Sequence, residues 1–347
     1  MDRIPHQAAA AAEQPFVIAI GTSAGGLAAM KEVVAQLPPD LPACVMAVLH
    51  VAPDASVSYF VRALGDAGLW DCREASDGDP IMAGRLYVAP ADHHLLADDN
   101  TVRVVKGPRE NRWRPSIDAL LRSAAVHHGG RTIGVLLTGE LDDGVAGLAA
   151  IKRCGGLCVV QDPADAAFPS MPSAAIRRVE IDKVAPLGAI GKTLSILVSK
   201  GPGKGGNPPL ELLAEARVAS GGRLSIDDMD GLGDRSAMTC PECGGVLWEL
   251  GGESTLHFRC HTGHAFSAEA LGTDLTQRLE ATLWSAVRLF EERRNFLLSM
   301  SKYGASTATE NSRVEEIEMH LHLLRRVLLG PAAGEVKAQL KTSKSSA

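Results

Sequence analysis

The sequence predicts an α/β fold over residues 14–198, a doubly wound and mostly parallel sheet with helices on both faces. A small zinc-ribbon-like module and a helical hairpin follow. Three observations carry this reading. Between Phe16 and Val198, short apolar runs alternate with helical stretches, the order that builds a right-handed parallel sheet. Hydrophobic residues make up 46% of the chain while aromatic residues make up only 4%, and cores of Ala, Val, Leu and Ile suit strands covered on both faces. Cys240, Cys243, Cys260 and His264 are grouped late in the chain, in a different sequence context.

Taken in order, residues 1–13 read as a loose leader, lacking the apolar stretch of a secretory signal. Strands are expected at Phe16–Ile20, Cys44–Leu49, Leu86–Ala89, Ile133–Leu137 and Leu157–Val160. Helices are expected at Leu27–Gln36, Ser56–Leu64, Ile117–Ala125 and Val145–Arg153. Pro38-Pro39, Gly155-Gly156 and Asp162-Pro163 punctuate the joins. Thr101–Val105 and Leu86–Ala89, separated in part by the polar Ala97–Asn100, read as a local hairpin. Residues 199–236 read as a linker, because Gly201–Pro209 has little apolar surface with which to order itself. A short helical run at Leu210–Val218 and an acidic loop at Asp227–Asp230 fall within it. Residues 237–266 form the metal module, 267–330 the helical hairpin and 331–347 a disordered tail.

Several classes are excluded by the whole chain. A formal net charge of −6 gives no field that would draw nucleic acid. No apolar run reaches the length of a membrane span. Seven cysteines, three of them late and the rest scattered, form no disulfide framework, which predicts a reducing, cytoplasmic compartment.

The chemistry centres on Gly21-Thr-Ser23-Ala-Gly25, where a strand turns sharply into a helix. Such a turn lifts a serine hydroxyl above the sheet and aims backbone N–H groups beside it. The same residues also suit an ordinary βα turn. Parallel sheets collect their chemistry at the carboxyl ends of strands. There the chain places Ser23, His50, and Asp142 with Asp143. A serine needs an imidazole to take its proton, and the imidazole needs a carboxylate to fix its tautomer. The competing readings are a strand-capping histidine and an aspartate that caps the helix after Gly144. The order Ser, His, Asp differs from the Ser, Asp, His order of α/β-hydrolases and counts against a lipase or generic esterase.

Ile20–Gly26, His50-Val-Ala-Pro53, Val88-Ala-Pro90, Arg114-Pro-Ser-Ile-Asp118, Leu137-Thr-Gly139 with Asp143-Gly144, and Met171-Pro172 resemble the successive motifs of the chemotaxis protein-glutamate methylesterase (CheB-type) catalytic domain. The resemblance covers about Gln14 to Val198. It implies hydrolysis of glutamate methyl esters on the cytoplasmic region of methylated chemoreceptors, with glutamine deamidation as a second activity. It assigns Ser23 as nucleophile, His50 as general base and then acid, and Asp143 as the orienting carboxylate, with no catalytic cofactor. Oxyanion donors are expected near Gly139–Leu141 and Ala24. A non-catalytic scaffold protein on the same fold is the alternative.

Two departures stand out. Glu140 replaces the family's usual methionine; a carboxylate turned inward would repel an oxyanion, whereas one turned to solvent would be harmless. The motifs also begin about fifteen residues in, which predicts no receiver domain before them. The arginines of Arg112-Trp-Arg-Pro-Ser-Ile-Asp118 suit the carboxylates of such a substrate, or else a solvated loop in which Ser116 caps a helix.

In the second module, Cys240-x2-Cys243 and Cys260-x3-His264, sixteen residues apart, have the ligand spacing of a closed, structural zinc site. His261 competes with His264, which is preferred because adjacent ligands strain a tetrahedron. A redox Cys-x-x-Cys lacks its usual βαβ setting here. Beyond it, Leu275, Leu279, Leu283, Val287 and Phe290 form one stripe and Val314, Ile317, Leu321, Leu324 and Leu328 another. The stripes suit a hairpin packed on itself or self-association through these helices.

Overall fold

A computed structural model of the chain describes residues 14–251, 256–300 and 308–330. The expected leader and tail lie outside them. The chain divides into one compact unit ending at Leu271 and a second beginning at Gly272. The boundary thus falls within a helix, after the cysteine-bearing module rather than before it.

The first unit is built on seven parallel strands: β1 (Phe16–Thr22), β2 (Ala43–Leu49), β3 (Asp71–Glu74), β4 (Arg85–Val88), β7 (Thr132–Leu136), β8 (Leu157–Gln161) and β9 (Lys183–Ala185), in the order β3-β4-β2-β1-β7-β8-β9. Alternate residues of β1 face opposite cores, as the period of two requires. Val17 and Ala19 pack against α3 (Ile117–His128), α4 (Val145–Arg153) and α5 (Ser170–Arg178). Phe16, Ile18 and Ile20 pack on the other face, against α1 (Gly26–Gln36), α2 (Ser58–Gly65) and α6 (Leu187–Ser199). The five expected strands and four expected helices are all present, with ends that coincide or shift by at most three residues.

The expected hairpin needs correcting. β6 (Val102–Val105) pairs antiparallel with β5 (His94–Ala97), whereas Leu86–Val88 belongs to the parallel sheet, between β2 and β3. The turn at Asp98–Asn100 is in place; its first strand is the short His94-Leu-Leu-Ala97. The edge strands β3 and β9 have no sequence signal because they are short and exposed, so no apolar period marks them.

Part of the expected linker is ordered by packing. α7 (Leu210–Ala219) contributes Leu212 to the core beneath α3, and Gly203 donates its N–H to Gly130 O at 2.8 Å. A short helix, α8 (Ile226–Asp230), leads into β10 (Asp234–Thr239), β11 (Val246–Leu250), β12 (His257–Cys260) and β13 (Ala265–Ser267), an antiparallel meander. Cys240, Leu247, Phe258, Cys260, Phe266 and Leu271 make one small core of the meander, and Trp248 and Leu250 make another with Met229 of α8. Cores so small leave much of the holding to polar groups.

They are found under β12. Arg259 is fully buried and reaches Glu110 Oε1 and Glu215 Oε2, each at 3.0 Å. Arg122 bonds Glu110 at 2.6 Å and lies 3.5 Å from Glu215, which also holds His257 at 3.0 Å. Burial alone would push the Glu215 carboxyl up, but the charges of His257, Arg122 and Arg259 hold it well below its ordinary value. The network ties β12 to α3 and α7, both part of the first unit.

In the second unit, the helix α9 (Ala268–Met300) continues beyond the boundary and is followed by α10 (Ala308–Leu329). Val287 packs with Ile317 and Leu321, joined by Phe290, Leu324 and Leu328. Leu275 and Leu279, expected on the same stripe, are 39% and 61% exposed. The pairing therefore uses only the later part of the α9 stripe.

Candidate active site

β1 lies between β2 and β7, and register brings the three strand ends together. Thr22 pairs with Leu49, so Ser23 and His50 leave adjacent strands at the same level; His50 N–H bonds Thr22 O at 3.2 Å. Gly21 approaches α3 so closely that a Cβ there would fall 2.1 Å from Ile117 Cγ2, and Gly25 takes a left-handed φ of 74° just before α1. Those two constraints make the strand–helix turn tight enough to place Ser23, half-buried, at its crest.

Asp143 reaches His50 from the loop after β7. Its Oδ2 lies 2.8 Å from His50 Nε2, and both side chains are almost wholly buried. Asp143 also accepts from Ile117 N–H at 2.8 Å, Asn111 Nδ2 at 2.9 Å, Ser116 Oγ at 3.1 Å and Asp118 N–H at 3.2 Å. The carboxylate thus sits on the N-terminus of α3, where backbone donors and the helix dipole favour negative charge. Burial would raise its pKa, but the His50 bond and charge, with Asn111 and the Ile117 N–H, bring it below the ordinary carboxylate range. Asp118 shows the reverse. Burial and the neighbouring Asp143 charge raise its carboxyl well above the ordinary value.

An ionised carboxylate only accepts hydrogen bonds, so His50 Nε2 carries the proton and Nδ1 carries the lone pair. Nδ1 is buried, and among the described residues it has no hydrogen-bond partner. A lone pair beside the Ser23 strand end is suited to accept a proton. The imidazole is held flat by Trp113, whose ring stacks on it at 4.2 Å and 8° between planes. No motif of the sequence includes Asn111, and Trp113 stands inside Arg112–Asp118 with no role assigned to it. Both lie in an irregular loop, with Asn111 at φ 50° and Arg112 at φ 73°, and no periodicity marks such positions.

The remaining expected residues fall as follows. Glu140 is exposed, so its carboxylate is turned to solvent. Gly139 N–H bonds Phe168 O and Ser23 N–H bonds Thr138 O, each at 3.0 Å. Those two N–H groups are committed, which narrows the expected oxyanion donors to Ala24, Glu140 and Leu141. Leu141 has φ 61°, a conformation costly for a branched side chain and often kept where backbone groups are aimed at a ligand. Asp142 turns away from His50 and bonds Ser267 Oγ at 2.6 Å, with Arg178 on its other oxygen. Ser116 caps α3 through Ala119 N–H. Arg114 is spent on Asp92, at 2.6 and 2.9 Å, and on Gly107 O at 2.7 Å. That pairing removes the main reason to give it a substrate role.

Cys240, Cys243, Cys260 and His264 converge at one end of the antiparallel meander, with their ligand atoms within 4.8 Å of one another. His261 is exposed and outside the group. Cys243 Sγ lies 3.8 Å from Cys260 Sγ, and Cys260 Sγ lies 3.6 Å from His264 Nδ1. A tetrahedral zinc ion with ordinary bond lengths would set these separations at about 3.8 and 3.6 Å, so the donors fit. The other four cysteines are free and lie within or beside the parallel sheet. Burial pushes the Cys44 and Cys158 thiols up to about 12, which makes them poor nucleophiles.

The profile of the CheB methylesterase family matches residues 18–194. The protein-glutamate methylesterase/protein-glutamine glutaminase 2 of Rhodospirillum rubrum is 39% identical over 175 residues, 49% of this chain and 48% of that protein. The protein of the same name from Rhizobium johnstonii is 34% identical over 189 residues, covering 53% and 51%. The chain therefore spans about half the length of the curated relatives it matches. The crystal structure of the Thermotoga maritima CheB methylesterase catalytic domain superposes with a TM-score of 0.51 at 30% identity, over 53% of this chain and 98% of that one. Matched profile, relatives and parallel sheet agree: the chain belongs to the CheB methylesterase family.

Proposed function

We propose that this protein is a serine esterase that hydrolyses methyl esters of glutamate side chains on chemoreceptor-type proteins. The observation that carries the reading is the buried His50–Asp143 contact at 2.8 Å, formed at the strand end next to Ser23. Ser23 Oγ attacks the ester carbonyl and its proton passes to His50 Nδ1, while Asp143 stabilises the imidazolium that forms. The N–H groups of Ala24, Glu140 or Leu141 receive the developing oxyanion; one such donor is worth about 3–4 kcal/mol of barrier in a comparable hydrolase. The tetrahedral intermediate collapses, His50 protonates the leaving methoxide, and methanol departs. Water then attacks the acyl-enzyme, with His50 as base, and releases glutamate. A glutamine side chain follows the same course with ammonia as leaving group.

The names of the curated relatives support protein-bound glutamate methyl esters and glutamines as the substrate class, and the chemoreceptor is the part of the reading that the test below addresses. A cytoplasmic location suits such substrates, agrees with seven cysteines that form no disulfide, and meets no obstacle in the helices, none of which, among the described residues, is long and apolar enough to cross a membrane. We further assign Cys240, Cys243, Cys260 and His264 to one structural zinc ion, with three thiolates and an imidazole closing the site to substrate.

The test is methanol release from a methylated receptor by wild type and by Ser23→Ala. Release by wild type and its loss in the variant are expected. Turnover retained in Ser23→Ala would remove the nucleophile, and an inert wild type that still binds receptor would leave a scaffold protein instead.

A further inference from the structure

The antiparallel sheet touches the proposed active site from behind, through Ala265 and Ser267 of β13. Ser267, the last of β13, donates its backbone N–H to Asn111 Oδ1 at 2.7 Å and its hydroxyl to Asp142 Oδ1 at 2.6 Å. Asn111 is 5% exposed and donates its own N–H to Ala265 O at 2.8 Å, while Ala265 N–H bonds Arg109 O at 3.2 Å. Residues 109–111 therefore run as an added edge of β13. Two positions further on, Trp113 lies flat on His50.

The amide orientation follows from these contacts. With Oδ1 taken by an N–H donor, Asn111 Nδ2 faces the carboxyls, donating to Asp143 Oδ1 at 2.9 Å and to Asp118 Oδ2 at 2.7 Å. Without the Ser267 N–H, nothing else among these contacts holds the amide oxygen back. A turned amide would present its oxygen to the ionised Asp143 carboxylate, where a donor is required.

We propose that the C-terminal sheet is a clamp on the site. Through Ser267 it fixes the amide of Asn111, a positioning residue, so that Asp143 stays aligned on His50 and hydrolysis depends on the sheet being folded around its metal. This rests on the hydrolase reading above. It assigns Asn111 a role through Asp143 rather than on substrate. It also makes the Cys240–His264 cluster a structural control on a distant serine.

The group whose ionisation reports the clamp is Asp143. The titratable groups that face it are His50 from the end of β2, Asp118 from α3 and the buried His94 from β5; Asp142, the next residue, is turned to Arg178 and Ser267. Loss of the Asn111 donor removes one interaction that favours the carboxylate, and because Asp143 titrates together with the base His50, the acid limb of the kcat/KM profile shifts.

The experiment uses the full chain with its metal, Asn111→Asp, and wild type stripped with a chelator and then given zinc again. Asn111→Asp retains the acceptor for Ser267 but loses the donor. It is expected to lower kcat/KM roughly 10- to 100-fold, the scale of a small misplacement of reacting groups, and to shift the acid limb; its added carboxyl contributes to that shift, so chelated wild type decides this readout. Chelation is expected to do both, and zinc to reverse both. A purely structural role would lower the amount of active protein and leave the limb in place, and that result overturns the clamp. So does a chelated protein whose antiparallel sheet has melted but whose rate and limb are those of wild type. If wild type hydrolyses nothing, the hydrolase reading fails on its own. The downfield imidazole proton of His50 bonded to Asp143 then decides the clamp without turnover: lost on chelation and in Asn111→Asp if it holds, retained if it does not.

Discussion

The parallel sheet and the antiparallel meander reach order by opposite means. The first buries both faces of its central strands, β1, β2 and β7, under helices, in two large apolar clusters. The second has two small clusters, of six buried residues, two of them cysteines, and of three, and relies on a Cys/His cluster and on Arg259 locked between Glu110 and Glu215. Hydrophobic burial is forgiving, since the loss of one methylene changes it by about a kcal/mol. A metal site and a buried ion network are not, because removal of one member strands the others. The proposed reacting groups belong to the first region, while Asn111, which orients one of them, leans on the second.

The comparison can be broken most sharply at the nucleophile. Ser23→Ala is expected to lower turnover by roughly 10⁴-fold or more while leaving the melting temperature of both regions near wild type. A variant that also melted early would place Ser23 in the support of the sheet rather than in its chemistry. Chelation comes next: it should abolish hydrogen-exchange protection in β10–β13 while β1, β2 and β7 keep theirs. Equal loss in both would mean that the two regions fold as one.

Arg259→Met addresses the ion network. Stranding Glu110 and Glu215 in the interior should cost about 3–5 kcal/mol, read as a shift in denaturant midpoint. The pH dependence sharpens the same point. Glu215 is held well below its ordinary value in the folded state, so the stability it supplies is present above the unfolded carboxylate range, about 4.3, and is lost as pH falls through the folded value. The deficit of Glu215→Gln against wild type should therefore be full at pH 7 and close only in strong acid. The smallest effect is expected at Trp113→Ala. Loss of the ring on His50 removes stacking worth about 0.5–1.5 kcal/mol, seen as a several-fold drop in kcat with KM little changed.

Glu140 shows where legibility stopped. Its replacement of an expected methionine was readable, but whether the carboxylate faced the oxyanion or solvent depended on a loop whose direction is set by contacts with Thr138, Phe168 and Met171. Arg114 is similar: the residue was conspicuous in its motif, and only its pairing with Asp92 from the β4–β5 connection revealed that its charge was already satisfied.

The sequence by itself determined the parallel sheet, because strand and helix periods are local and repeat along the chain. It also placed Ser23, His50 and Asp143 at strand ends and grouped Cys240, Cys243, Cys260 and His264, because ligand spacing and strand termini are properties of order along the chain. Only tertiary structure decided what stands behind those groups. The Ser267–Asn111–Asp143 chain joins residues 156 and 32 positions apart, and the Arg259–Glu110 pair spans 149. No period or motif encodes such contacts. They arise when the antiparallel sheet, too small to hold itself by burial, packs against the loop that orients the site.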